Sequence, residues 1–134
     1  MTASEASSPR ETPKRDPDLP DELAARFRQI ARLEENWNGH GAPPIDPDCI
    51  ADAIRIIKIG LAIGLTAPAV ALGGDAGIRI EWWDPDRWEL SIDLVPGGQA
   101  TYALDLLHSD GAIEASDGTM ENDDQIRRIF RLMV

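Results

Sequence analysis

The chain has 134 residues, 43% of them hydrophobic, with a single cysteine. That length suits one domain able to bury its own core, and a lone cysteine excludes an internal disulfide. Its 24 acidic residues outnumber 13 Lys and Arg for a net charge of −11, which repels nucleic-acid phosphates and argues against direct DNA or RNA binding.

The acidity is uneven. Residues 75–134 hold 13 acids against 5 bases, a net charge of −8. A partner protein with a basic surface is the natural counterpart of that half, although net acidity also serves solubility alone.

Residues 1–19 are Ser, Pro and charge with almost no large apolar group. They cannot offset the entropy of ordering, so the expectation is a disordered tail followed by one domain over residues 20–134. The tail lacks the apolar centre of a signal peptide. The longest apolar run begins at Ile59 and is broken by Gly60, Gly64 and Pro68, short of the roughly 20 residues a membrane helix needs. A cytoplasmic protein without membrane association is expected, in keeping with the cysteine usage.

Leu23, Phe27, Ile30 and Leu33 recur at helical spacing, which predicts an amphipathic helix from Asp21 to about Glu34. Asn36 to Asp46, NWNGHGAPPID, then breaks it. This run places Trp37, Asn38 and His40 on a loop whose glycines permit positive φ. One reading is a structural corner pinned by Trp37; the other is a ligand loop carrying Asn38 and His40.

Asp46-Pro47 has the form of an N-cap followed by proline in the first helical position, opening a second helix that runs to about Ile63. Its polar side is limited to Asp52, Arg55 and Lys58. A helix so apolar is expected between the sheet and the first helix, or in a homodimer interface. Cys49 falls in its first turn, nine residues after His40. A Cys–His nucleophile is conceivable there, but Asp46 and Asp48 oppose thiolate formation and no third orienting group is evident, so an inert cysteine is the expectation.

Pro68 to Leu72 suggests a short strand. Ile78, Ile80 and Trp82 then alternate with Arg79, Glu81 and Trp83; Trp88, Leu90, Ile92 and Leu94 alternate with Glu89, Ser91 and Asp93; Ala100, Tyr102, Leu104 and Leu106 form a further set. The spacing places 82 opposite 88, 80 opposite 90, 92 opposite 102 and 90 opposite 104. The expected result is an antiparallel meander of three to four strands with one apolar face. Residues 108–119 read as loop, with turn signals at Asp110-Gly111 and Asp117-Gly118, and Thr119 as the cap of a last helix from Met120 to Met133. The order ααββββα is an α+β domain with its helices packed on one sheet face.

The pattern LEENWNGHGAPPI, an apolar helix, then GIRIEWWDPDRWELSIDL resembles a scattered group of small bacterial proteins. Its members show a W-[DN]-G-x-G-A-x-P-I loop followed by a G-I-x-[LI]-E-W strand and an acidic hairpin. The likeness spans about residues 30–105 and implies a domain type, with no activity, cofactor or site attached. Asn38 stands where Asp is the commoner residue of that loop.

No catalytic set emerges. His40, His108 and Cys49 lack zinc-ligand spacing, the acidic loops miss the calcium-loop pattern, and GGDAG has no phosphate-loop lysine. No metal or cofactor is expected. Glu81, Glu89 and Asp93 share a strand face, but alternation produces such a row by itself. Trp83 is the oddity, because a Trp82 directed into the core forces its neighbour onto the polar face. An outward Trp83 beside Glu81, Asp84 and Asp86 has the form of a binding anchor with a charged rim. The leading expectation is a non-enzymatic acidic interaction module: an inhibitor, antitoxin-like neutraliser, immunity protein or adaptor. The alternatives are a small-molecule binder or enzyme using Trp37, His40 and Cys49, and a structural subunit or homodimer.

Overall fold

The computed structural model describes residues 19–73 and 75–134. Of the tail expected over residues 1–19, residues 1–18 lie outside the described residues. Leu19, placed in that tail by composition, is buried and belongs to the core.

Two helices, α1 (Asp21–Ala31) and α2 (Pro47–Ile63), precede five strands, β1 (Ala69–Leu72), β2 (Ile78–Asp84), β3 (Trp88–Leu94), β4 (Ala100–Leu107) and β5 (Ile113–Met120), and α3 (Asp123–Arg131) closes the order. The strands form one antiparallel sheet in sequence order, β1-β2-β3-β4-β5. The α+β class holds, with five strands where the alternation indicated three to four.

The additional strand is β5. Gly118 is a strand residue opposite Tyr102, and a Cβ there would stand 3.2 Å from the Tyr102 ring. Glycine at 118 gives room to an aromatic neighbour rather than making a turn. The turn signal holds at Asp110-Gly111: Gly111 has φ +88, and the Ala112 amide donates to Asp110 Oδ1 at 2.9 Å.

The last helix starts later than expected for the same reason. Thr119 and Met120 are paired with Thr101 and Ala100, so the cap falls to Asn122, whose Oδ1 accepts from the Gln125 amide at 2.9 Å. Gln125 also donates from Nε2 to the Thr119 carbonyl and accepts from the Glu121 amide, both at 2.8 Å, which fixes the junction of β5 and α3. At the other end of the chain α1 stops at Ala31, short of Glu34. Arg32 and Leu33 there donate to carbonyls only three residues back, the tightening common at helix ends.

The β2–β3 register differs from expectation by two residues. Trp82 pairs with Leu90, Ile80 with Ile92 and Asp84 with Trp88, because Asp84 remains in the strand and the loop contracts to Pro85-Asp86-Arg87. A slip of two preserves which face each side chain takes. The β3–β4 pairings, Ile92 with Tyr102 and Leu90 with Leu104, are those read from the spacing.

Asp46 caps α2 and Pro47 opens it. Cys49, Ala53, Ile56, Ile57 and Gly60 form its buried side. The helix lies against β2 and β3, with α1 and α3 packed beside it and α3 also touching β5. That arrangement accounts for the apolar excess of α2: it has neighbours on three sides. Trp82 anchors the centre of the core. Its ring meets Phe130 of α3 edge-on at 5.1 Å and its Nε1 donates to the Thr66 carbonyl at 3.0 Å. A Cβ on Gly60 would meet Phe130 and Trp82 at 3.4 and 3.5 Å, so the glycine lets these rings approach the helix.

The inner face is buried along the middle of β2 and β3 and opens at Glu114 and Ser116 of β5, and the outer face, through Arg79, Trp83, Glu89, Thr101, Ala103 and Asp105, is exposed. Among the described residues, no helix is long and apolar enough to cross a membrane.

Candidate functional site: the uncovered end of the sheet

The 36–46 loop is a closed structural corner. Asn36 has φ 66, and its Oδ1 accepts from the Gly41 amide at 2.6 Å. Asn38 Oδ1 accepts from the amides of His40 and Ala42 at 2.8 and 3.2 Å. Only the acceptor oxygen of Asn38 is engaged in these two bonds, so a carboxylate at this position would serve equally. Trp37 donates from Nε1 to the Pro43 carbonyl at 2.7 Å and packs its ring against the core. His40 is exposed.

Cys49 is buried at the start of α2, its Sγ 3.7 Å from Asp46 Oδ2. Burial first, and then the Asp46 carboxylate, push the thiol up to about 11, the reverse of what a nucleophile needs. The principal cavities of the molecule are lined by other residues than Trp37, His40 and Cys49.

The outer sheet face has two unlike ends. Toward β1, Arg79 grips Asp93 with two bonds, Nε to Oδ1 at 2.7 Å and a terminal nitrogen to Oδ2 at 3.0 Å, and Glu81 stands 4.0 Å from the same guanidinium. Both carboxylates there have a cation within reach. At the opposite end Trp83 pairs with Glu89, and Glu89 with Asp105. These side chains form one row across three strands. Neither carboxylate makes an ion pair among the described residues. Like charges set directly opposite destabilise a sheet.

Trp83 is 54% exposed, Leu107 41% and Ile113 67%. Leu107 and Ile113 pair with each other one row beyond Asp105 and Ala115. With Asp84, Pro85, Trp88, Glu89 and Asp105 they line an open cleft of about 300 Å3. The Nε1 of Trp88 is buried without a hydrogen-bond partner, a loss of about 1–3 kcal/mol. Exposed apolar area and facing carboxylates therefore gather on the outer face, while the unbonded indole N–H of Trp88 is buried on the inner face of the same hairpin.

Alternation correctly places Trp83 outward, while its expected rim is only partly in position. Glu81 lies one row inward, near Arg79. Asp84 faces Trp88 across the hairpin and its charge is met by Arg87 Nε at 3.1 Å. Asp86 is exposed on the turn. The acids flanking Trp83 across the strands are Glu89 and Asp105. Glu89 is visible in the alternation, and Asp105 follows from pairing 90 with 104. Ile113 escapes a reading that takes residues 108–119 as loop, and with it the pairing partner of Leu107 at the end of β4.

Among the described residues, no group of three or more His, Cys, Asp and Glu is arranged to hold a metal ion. His108 instead bonds Glu114 at 3.0 Å across the base of the β4–β5 turn. No protein-family model, curated protein or solved structure matches the chain, so the site is read from its own geometry.

Proposed function

We propose that this chain is a non-enzymatic interaction module that binds a partner protein through the uncovered sheet end, with Trp83 as anchor and Glu89 and Asp105 facing basic groups of the partner. Inhibitor, neutraliser, immunity protein and adaptor are the roles open to such a module. The observation that carries the proposal is the coincidence of a 54% exposed Trp83 with two facing carboxylates that have no counter-ion among the described residues. Folding gains nothing from either: the tryptophan leaves apolar area in water and the carboxylates repel. A cationic partner group held over the ring and between the acids would reverse both. The surplus acidity of residues 75–134 would speed encounter with such a partner.

Small-molecule chemistry at the 36–46 loop has less support, since that loop spends its polar groups on its own backbone. The homodimer reading has less support, since α1 and α3 flank α2 and leave Ile54, Ile59 and Ile63 as its partly exposed apolar residues beside α3.

The test is retention of partners from native lysate by wild type, Trp83→Ala and the double variant Glu89→Gln/Asp105→Asn, at low and high salt. One partner held by wild type, lost from Trp83→Ala and released by salt is the expected result. Equal retention by all three proteins would remove the sheet end from consideration.

A further inference from the structure

We propose that a second surface, the groove between α2 and α3, docks an acidic amphipathic helix of a partner protein. The groove holds about 670 Å3 and its floor is apolar, with Ile54, Ile59 and Ile63 along it. Its rim is basic. Arg55, Lys58, Arg127 and Arg131 line it against one acid, Asp123. Asp52 and Asp124 stand beside this rim as partners of Arg55 and Arg127, and Lys58 has a partner of its own, which leaves Arg131 as the rim cation with no ion pair among the described residues.

The fold accounts for part of that rim. Arg55 bridges to Asp123 and so ties α2 to α3. Arg127 pairs with Asp124 at 3.2 Å, where the carboxylate is 85% exposed, a contact of little worth for stability. Arg131 is exposed and makes no ion pair among the described residues. Compensation of the helix dipole explains cations in the last turn of α3, Arg128 and Arg131, but it explains neither Arg127 nor an apolar floor.

A channel between two helix ridges is the seat of a third helix. An apolar stripe would meet the isoleucines, and carboxylates on its flanks would meet the arginines. Screening limits the repulsion from the distant acidic sheet to about one Debye length, roughly 8–10 Å. A second copy of this chain is a poor occupant, because two-fold apposition sets Arg127 and Arg131 against their own equivalents. The groove lies on the helix layer, away from the outer sheet face, and the inference is independent of the function proposed above.

The experiment uses the full chain and two synthetic helical peptides, each with Leu along one face and either Glu or Lys along the other. Fluorescence anisotropy is followed for wild type, Arg127→Glu/Arg131→Glu, the single variant Arg131→Gln and Trp83→Ala. The Glu peptide should bind wild type and Trp83→Ala alike and bind the double variant roughly tenfold more weakly or worse. The Lys peptide should bind none of them better than the double variant. Arg131→Gln, which removes no ion pair, keeps the test valid if the double variant melts early; it should weaken the Glu peptide severalfold. Unchanged affinity in the arginine variants, equal binding of the Lys peptide, or weakening of the Glu peptide only in Trp83→Ala would overturn the proposal. So would light scattering that finds a dimer which the double variant dissolves.

Discussion

Trp37 turns its indole N–H inward to the Pro43 carbonyl, while Trp83 spreads its ring over an open sheet with 54% of its surface exposed. Both rings sit among turn formers or acids in the sequence. Around Trp37 the indole N–H and two asparagine side chains close on backbone partners, the asparagines accepting from the amides of His40, Gly41 and Ala42. Around Trp83 the polar groups are left facing outward and facing each other. The first neighbourhood is what stability builds; the second is what stability would have removed. A sequence rich in Asn, Gly and Pro thus signals a held corner as readily as a binding loop.

The contrast can be broken most severely at the corner. Trp37→Ala should lower stability by about 3 kcal/mol in urea unfolding, through lost packing and an orphaned Pro43 carbonyl; a loss under about 1 kcal/mol would show that the corner is not held by this ring. The neighbouring cysteine gives a pH test. Cys49 is raised from 9.0 to about 11 in the folded protein, so between those values the native state keeps a proton that the unfolded chain has released. Its stabilising contribution is complete below pH 9 and falls as pH rises toward 11, by between about 2 and 3 kcal/mol. The slope of stability against pH should be shallower by that amount in Cys49→Ala, and parallel curves would mean an unshifted thiol.

Trp83→Ala should behave in the opposite manner to the corner variant. Its melting should match wild type within about 0.5 kcal/mol, with partner affinity reduced about thirtyfold, near 2 kcal/mol. A variant that unfolds early would make Trp83 a structural residue after all. The smallest effect belongs to the facing acids. Glu89→Gln should raise stability by about 0.5 kcal/mol by relieving the Glu89–Asp105 repulsion, and it should slow association at low salt. Unchanged stability would place the two carboxylates farther apart in solution than their register implies.

Much of this was legible in the residues, for reasons that differ by element. Trp83 is outward because period-two alternation leaves no other choice once Ile80 and Trp82 are buried. The α2 boundaries follow from Asp46, Pro47 and Gly64, each with one local conformational use. β5 was not legible, because Gly118 and Asp117 carry a local turn preference that cross-strand packing against Tyr102 overrides. With β5 went Ile113, the residue that pairs with Leu107 at the cleft. The register at β2–β3 turned on whether Asp84 belongs to strand or turn, and that is decided by a bond from Arg87 that spacing does not reveal.

The sheet joins each strand to its neighbour in the chain, so a hairpin can zip before distant segments meet. The seam of α2 and α3 is different: Arg55 reaches a residue 68 positions away. Local pairings form quickly and long closures wait. The meander should therefore be assembled at the rate-limiting barrier, with α3 docking on the downhill side. In a chevron of Arg55→Ala the unfolding limb should rise and the refolding limb stay where it is. The helix that completes the hydrophobic layer would then be the last part to arrive and the first to leave.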